Sequence, residues 1–155
     1  MTDQDCFRHL LATLAYRGAL CFRDAPEAFA SYDTGNGKTP LMILAHMGDL
    51  LDWTLSCLQG RGRWQPIVPG TWSEEVARFH QGLERVDRFL TSGDPVQGDL
   101  PRLIQGPVAD ALTHIGQLAL LRRMAGSPTK GESFYAAEIT IGRVGADQAP
   151  PRKPF

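Results

Sequence analysis

The sequence predicts an all-α protein, a four-helix bundle with an irregular C-terminal tail. Four segments of about 20 residues place apolar side chains at spacings of three and four, which is the period of one helical face. Capping residues and glycines bound these segments. The chain has 155 residues, which is enough for one domain with a sizeable core.

The first two helices are expected at residues 3–22 and 39–59. The second begins with Thr39 and Pro40, an N-cap residue followed by proline at the first helical position. Gly60 then caps its C-terminal end. The first helix is recognised by an apolar stripe of five residues, which are Phe7, Leu10, Leu11, Leu14 and Gly18.

The third and fourth helices also carry clear end signals. The third opens at Thr71, which forms a capping box with Glu74, and it ends near residues 91–93. The fourth contains residues 107–121. Its end is marked by Arg122 and Arg123 in the last turn and by Gly126 just beyond, because basic residues and glycine are favoured there.

The connection at residues 60–70 is rich in proline and glycine and is not expected to be helical. Its ~11 residues could reach about 35 Å when extended, enough to return along a whole helix of ~20 residues. The second and third helices are therefore neighbours that run either antiparallel or parallel, and the sequence leaves both arrangements open.

Composition and termini exclude several classes of partner. The formal net charge is -1 and there is no basic stripe, so neither nucleic acid nor an anionic membrane is expected as a partner. The acidic first residues lack the features of a signal peptide, and no apolar run approaches the ~20 residues that span a bilayer. The cysteines, Cys6, Cys21 and Cys57, are odd in number and far apart, which indicates reduced thiols in a cytoplasmic protein.

Asp110 and His114 are the most informative residues of the chain. They lie four positions apart, on one face of a helix whose other positions are almost all apolar. Such a helix is usually buried, and a buried carboxylate beside a buried imidazole needs a compensating partner. Two arrangements fit: both residues bind a divalent metal ion, or they form a hydrogen-bonded pair supported by Arg122.

His46 on the second helix is the third candidate ligand. It borders an arc of apolar side chains, so it is expected to point toward the bundle interior or its rim. Taken alone it would be an ordinary core or rim histidine. One histidine from one helix and Asp-x-x-x-His from another, however, supply three ligands on facing helices, which favours a metal. Three protein ligands leave a position open for water or substrate.

Neighbouring side chains are candidates to contact a substrate. Asp49 lies one turn from His46 and Gln117 one turn from His114, where each could support a metal ligand, orient a substrate or accept a proton, or simply be solvated. Trp53 lies two turns from His46 and lines either a pocket or the core. The chain has no H-E-x-x-H, C-x-x-C, G-x-S-x-G, phosphate-binding loop or dinucleotide fingerprint.

Two motifs resemble the DinB-like (DinB/YfiT-like) family of metalloenzymes. Residues 110–126, beginning Asp-Ala-Leu-Thr-His-Ile-Gly-Gln, are similar to the H-x-x-x-H-x-G-Q signature of the family's fourth helix. Residues 44–53, Leu-Ala-His-Met-Gly-Asp-Leu-Leu-Asp-Trp, are similar to its second-helix motif. The resemblance covers residues 1–126. It implies a four-helix bundle in up-down-down-up order, with residues 127–155 as an extension outside the family core.

The resemblance implies His46, Asp110 and His114 as metal ligands. Asp110 departs from the commoner family pattern, which has histidine there, but aspartate is a competent ligand. Zinc or nickel is the expected metal, and a carboxylate in the set also suits Fe(II) or Mn(II).

Relatives of known activity use the metal to activate a low-molecular-weight thiol for transfer or isomerisation, and members are often dimers. The resemblance thus implies a homodimeric, thiol-dependent transferase or isomerase that acts on a small molecule. The alternatives are a metal-dependent hydrolase, a non-catalytic metal-binding dimer associated with stress, and a bundle without metal. No contact with DNA is implied.

The tail at residues 127–155 is expected to pack on the bundle, except for its last residues. The segment from Phe134 to Val144 is expected to pack across the bundle and over the site, where Tyr135 and Arg143 would reach a substrate. The last residues are proline-rich and are expected to be loose.

Overall fold

A computed structural model describes residues 1–155, and it confirms the predicted all-α fold, a helical bundle without strands. Four long helices form the bundle, and a 3₁₀ turn and one short helix connect them. In chain order these elements are α1 (Asp3–Phe22), the 3₁₀ turn Glu27–Ser31, α2 (Pro40–Leu58), α3 (Trp72–Thr91), the short α4 (Leu100–Leu103) and α5 (Ala109–Met124).

Side-chain caps set where three of the long helices begin. The hydroxyl of Thr2 accepts a hydrogen bond from the backbone N–H of Asp5, and Thr39 does the same for Met42 at the start of α2. At the start of α3, Thr71 forms the predicted capping box with Glu74. Each cap satisfies a backbone donor that has no partner inside its helix.

α5 begins without a side-chain cap, since it continues from α4 through a wide π-helical turn at Ile104–Val108. Gly106 leaves the helical region there, with φ -94° and ψ -105°, and it is followed by Pro107, which has no N–H for the helical ladder. The sequence analysis did not predict this turn. It lies directly before the helix that carries Asp110 and His114, so it sets how that helix enters the bundle.

α2 is the most apolar helix, and its buried side contributes Leu44, Met47 and Leu51 to the core. By length and composition it could cross a membrane, which the sequence analysis did not expect. Its most apolar window is 56% buried inside the bundle, as is common for the core helix of a globular domain. Length and composition are therefore only weak evidence that α2 crosses a membrane.

α2 and α3 pack closely and run in the same direction. A Cβ added at Gly48 would lie 2.7 Å from the guanidinium of Arg78, and one added at Gly82 would lie 3.0 Å from Leu51. Farther along both helices, Arg85 pairs with Asp52. Because residue numbers rise together on the two sides, the long connection at residues 60–70 must return along the bundle. The complete up-down-down-up order stays a prediction of the family resemblance.

Arg78 connects α2 to α3 through a partly buried ion network. Its guanidinium donates to Asp49 Oδ1 at 2.6 Å, to Asp52 Oδ2 at 2.7 Å and to the carbonyl oxygen of Ala45 at 3.1 Å. It also pairs with buried Glu75 within its own helix. Burial alone would lower the pKa of Arg78, but hydrogen bonds and charge from Asp49 and Asp52 outweigh it, so the pKa is raised.

The C-terminal tail lies against α1 and α3. The Phe134 ring packs edge-on to Tyr16, with ring centroids 6.4 Å apart, and the Arg17 guanidinium sits 4.1 Å from the centre of that ring. Val144 is buried in the core, and its carbonyl accepts a hydrogen bond from His80 Nδ1. Burial lowers the pKa of His80 and so favours its neutral form, although the Val144 carbonyl opposes this.

The last residues are tied back onto the tail, contrary to the expectation that they are loose. The N–H of Phe155 donates to the carbonyl of Gly131 at 3.0 Å, and the N–H of Ser133 donates to that of Lys153 at 3.0 Å. The prolines do not prevent this pairing because neither donor is a proline.

Replacing Arg78 by Ala is expected to lower the free energy of unfolding by about 3 kcal/mol, because Asp49 and Glu75 would be left buried without their cation. Arg85→Ala is the matched control. It breaks an ion pair whose two side chains are about 40% exposed, and it should cost at most about 1 kcal/mol. Urea unfolding of the two variants measures both values, and equal losses would show that the network does not hold α2 to α3.

Candidate metal centre

His46, Asp110 and His114 meet at the seam between α2 and α5. One ligand atom from each lies within 4.8 Å of the others, so the group could hold a metal ion. The two helices run antiparallel at this seam. Ile43 and Leu121 line one cavity beside the group, whereas Leu50 and Pro107 line a second cavity on its other side. The three predicted ligands are therefore brought together by helix packing.

The distances within this group suit coordination better than hydrogen bonding. His46 Nε2 lies 3.5 Å from Asp110 Oδ2, and His114 Nε2 lies 3.4 Å from Asp110 Oδ1. Hydrogen bonds between such atoms are usually about 2.7–3.2 Å long. Two donors each about 2.1 Å from a tetrahedral ion are about 3.4 Å apart. The two imidazole rings are nearly perpendicular, with centroids 5.1 Å apart, and each presents a nitrogen to the carboxylate.

Gln117 fixes the orientation of His114. Its side-chain oxygen lies 2.7 Å from His114 Nδ1. Since an amide oxygen only accepts hydrogen bonds, the proton of the neutral imidazole belongs on Nδ1. The lone pair of Nε2 then faces Asp110, as metal coordination requires. Support of a candidate ligand was one of the roles expected for Gln117, which also lines a cavity beside the group.

Asp110 and His114 are not buried, and on this point the sequence-based expectation was wrong. The rim of the bundle was one of the two positions expected for His46. The side chains of His46, Asp110 and His114 are 39%, 46% and 17% exposed. α5 packs against α1 and α2, and its solvent-facing side carries Thr113 and Gln117 as well as the apolar Leu120. Arg122 does not support the group either, because its guanidinium donates to backbone carbonyls, among them that of Cys21.

Trp64 packs beside His46, a contact that was not predicted from the sequence. Its ring lies edge-on to His46, with centroids 5.7 Å apart, and edge-on to Trp53 at 6.1 Å. The loop that carries Trp64 is fixed by hydrogen bonds. The Arg63 N–H donates to Ser56 Oγ at 2.8 Å, and the Ile67 N–H donates to Asp49 Oδ1 at 3.3 Å. A tryptophan within a proline- and glycine-rich connection was the available signal.

Trp53 also lies beside the group. Of the two positions predicted from the sequence, a pocket wall and the core, this is the first. It lines a cavity of about 470 Å³ together with Asp110 and the π-helical turn. It is partly exposed and is not among the residues of the core cluster. A pocket wall is thus the better description of this residue.

Asp49 is not brought to the group. Its carboxylate faces α3, where it accepts from Arg78 and from the N–H of Ile67. Asp49 precedes the seam residue Leu50 by one position, or about 100° around the helix, so the two point to different neighbours. These contacts hold α3 and the loop carrying Trp64 against α2.

Tyr135 and Arg143 are not brought to the group either. The tail that carries them packs on α1 and α3, whereas the candidate ligands lie between α2 and α5. Tyr135 is fully exposed, and Arg143 donates to the carbonyl of Asp147. The expectation that the tail covers the site failed because Phe134 and Val144 anchor it to the other side of the bundle.

No cysteine takes part in the site. All three cysteines are free, and Cys21 is buried beneath α5 with its sulfur 3.5 Å from the carbonyl of Ile115. Burial raises the pKa of Cys21 to about 11 and also raises that of Cys57. Both thiols therefore stay protonated near neutral pH, and the protein has no activated thiolate there.

Comparisons with protein-family models, curated proteins and solved structures found no match to this chain. The description of the site therefore depends on its own geometry.

Gln117→Leu is expected to weaken zinc affinity about tenfold or more, because His114 would lose the acceptor that fixes its proton on Nδ1. Gln117→Glu keeps an acceptor oxygen at the same place and should retain most of the affinity. Competition with a chromogenic chelator measures both dissociation constants. Equal weakening by the two substitutions, or none by either, would contradict this role of Gln117.

Proposed function

We propose that the protein is a metal-dependent enzyme that acts on a small molecule, with one divalent cation held by His46, Asp110 and His114. The observation that carries the proposal is the separation of 3.4–3.5 Å between each imidazole nitrogen and the carboxylate. Gln117 supports it, since it holds His114 in the tautomer that a ligand needs.

The donor set favours a catalytic ion over a structural one. Structural zinc sites are usually closed by four protein ligands, whereas catalytic sites have three and leave one position free. Here three donors lie together, and the side chains of His46 and Asp110 are partly exposed. A divalent ion in such a site acts as a Lewis acid and lowers the pKa of a coordinated water or thiol, to about 7 for water in favourable zinc sites.

The chain's own residues have distinct roles in this proposal. Asp110 contributes the single negative charge of the group, so a bound divalent cation keeps a net charge of about +1 with which to attract an anionic donor. Trp64 lies edge-on beside His46 and supplies an apolar surface next to this ligand. The second candidate function is a non-catalytic ion that only stabilises the bundle. It is less favoured because three protein ligands do not close the coordination of the ion.

The ligand types restrict the choice of metal without selecting a single one. Two imidazoles and one carboxylate suit zinc or nickel, and also Fe(II) or Mn(II). Residues 44–53 and 110–126 resemble the DinB-like family. On that basis the proposal includes activation of a low-molecular-weight thiol by the bound zinc or nickel. Membership of that family, a homodimer and a cytoplasmic location belong to the same proposal.

The first test is the metal content of protein purified without added metal or a histidine tag, measured by elemental mass spectrometry. About one Zn, Ni, Mn or Fe per chain is expected, and a His46→Ala/His114→Ala variant should lose it. His9→Ala is the matched control, because His9 is an exposed histidine on α1 and should leave the metal content unchanged.

Protein that contains no stoichiometric metal and takes none up on reconstitution would contradict the proposal. If metal is present, the turnover of electrophilic substrates is measured with and without added thiol. A rate that requires the thiol supports a transferase, and a rate that does not supports the alternative, a hydrolase. Metal that raises the melting temperature without any turnover favours the structural ion.

A further inference from the structure

A cavity of about 520 Å³ extends from the metal group along the seam between α2 and α5. His46 and His114 line it near the group, and Met124 lines it near the N-terminal end of α2. His46 lies six positions after Pro40, where α2 begins, which corresponds to a rise of about 9 Å. The volume is within the range of about 300–1,000 Å³ that small-molecule sites occupy.

The long walls of this cavity are apolar and exposed. Met42, Leu120 and Met124 all line it, and they are 47%, 50% and 60% exposed. Exposed apolar side chains scattered singly are ordinary, but a group of them around one cavity marks a binding surface. Ile43 and Leu121 extend the apolar lining to its floor. The middle of the cavity therefore fits an apolar segment of a ligand.

The far end of the cavity carries a positive charge. Lys38 lines it, no aspartate or glutamate does, and the Lys38 ammonium forms none of the ion pairs of the protein. The loop before α2 positions this residue. The N–H of Lys38 donates to Asn36 Oδ1 at 3.1 Å, and its carbonyl accepts from the hydroxyl of Thr34. With a divalent cation bound near Asp110, both ends of the cavity would be positive.

We propose that this cavity binds a small amphipathic anion, with a donor atom at the metal group, an apolar segment against Met42, Leu120 and Met124, and an anionic group paired with Lys38. The inference deepens the proposed function and depends on it for the donor end of the ligand. The pairing with Lys38 and the contact with the apolar walls are inferred from the residues that line the cavity and do not require a bound metal.

The test compares two thiol probes on zinc-loaded protein by isothermal titration calorimetry at low ionic strength. Mercaptohexanoate has a thiol at one end and a carboxylate at the other, and mercaptohexanol is its neutral counterpart. The carboxylate should bind about fivefold more tightly, since a partly exposed ion pair contributes up to about 1 kcal/mol. Lys38→Met should remove this preference, and Lys38→Glu should reverse it.

Lys130→Met is the matched control, because Lys130 is an exposed lysine that does not line the cavity, and it should leave the preference unchanged. Equal binding of the two probes to the unaltered protein, no binding of either, or an equal effect of Lys38→Met on both would overturn the proposal. If a second copy of the chain covers the cavity, neither probe will bind.

Failure of the metal centre is distinguished by a second pair of probes that need no metal. Hexanoate and hexanol are compared on metal-free protein by ligand-detected nuclear magnetic resonance. A preference for hexanoate that disappears in Lys38→Met supports the cavity proposal even if no metal binds. Loss of that preference while zinc still binds stoichiometrically overturns the cavity proposal and leaves the metal centre intact.

Discussion

The ion pairs of Arg78, whose guanidinium is partly buried, are the interactions on which the arrangement of the site depends. The guanidinium lies between α2 and α3, in a space that exists because Gly48 has no side chain. One of its partners, Asp49, also accepts the N–H of Ile67 in the long connection. The same carboxylate thus holds α3 parallel to α2 and fixes the loop that places Trp64 beside His46. The partly buried Arg78 thereby links the packing of the bundle to the loop beside the candidate metal centre.

The chemistry of the centre follows from its position at the edge of the α2–α5 seam. A buried aspartate with two neutral histidines would carry an uncompensated charge, whereas a half-exposed group keeps part of its hydration and leaves access for a ligand. The π-helical turn before α5 lies directly beside this group, and such turns are frequent at functional sites. The cavity on the other side, between the histidines and Lys38, supplies the space that a reacting molecule needs.

Local signals made the helices predictable. The caps at Thr39 and Thr71 and the spacing of apolar residues depend on a few neighbouring positions, so they are visible in the sequence. The meeting of His46 with Asp110 and His114 was also expected, because their helical faces and the family resemblance agreed.

The contacts that depend on tertiary packing could not be predicted in this way. Asp49 turned toward Arg78 because α3 runs beside that face of α2, and no periodicity within α2 reveals its neighbour. α5 carries few charged residues, which predicted burial, yet its solvent-facing side, with Gln117 and Leu120, borders an open cavity. The tail has no helical period, so nothing in the sequence distinguished the α1–α3 side, where Val144 is buried, from the side of the metal group.

The most direct measurement of the central claim is anomalous diffraction at the zinc edge from crystals of the protein grown with zinc. The account predicts one strong peak per chain, about 2.0–2.2 Å from His46 Nε2, from His114 Nε2 and from an oxygen of Asp110. A peak coordinated by other residues, or no peak at this group in crystals that contain zinc elsewhere, would contradict the claim that these three side chains form a metal centre.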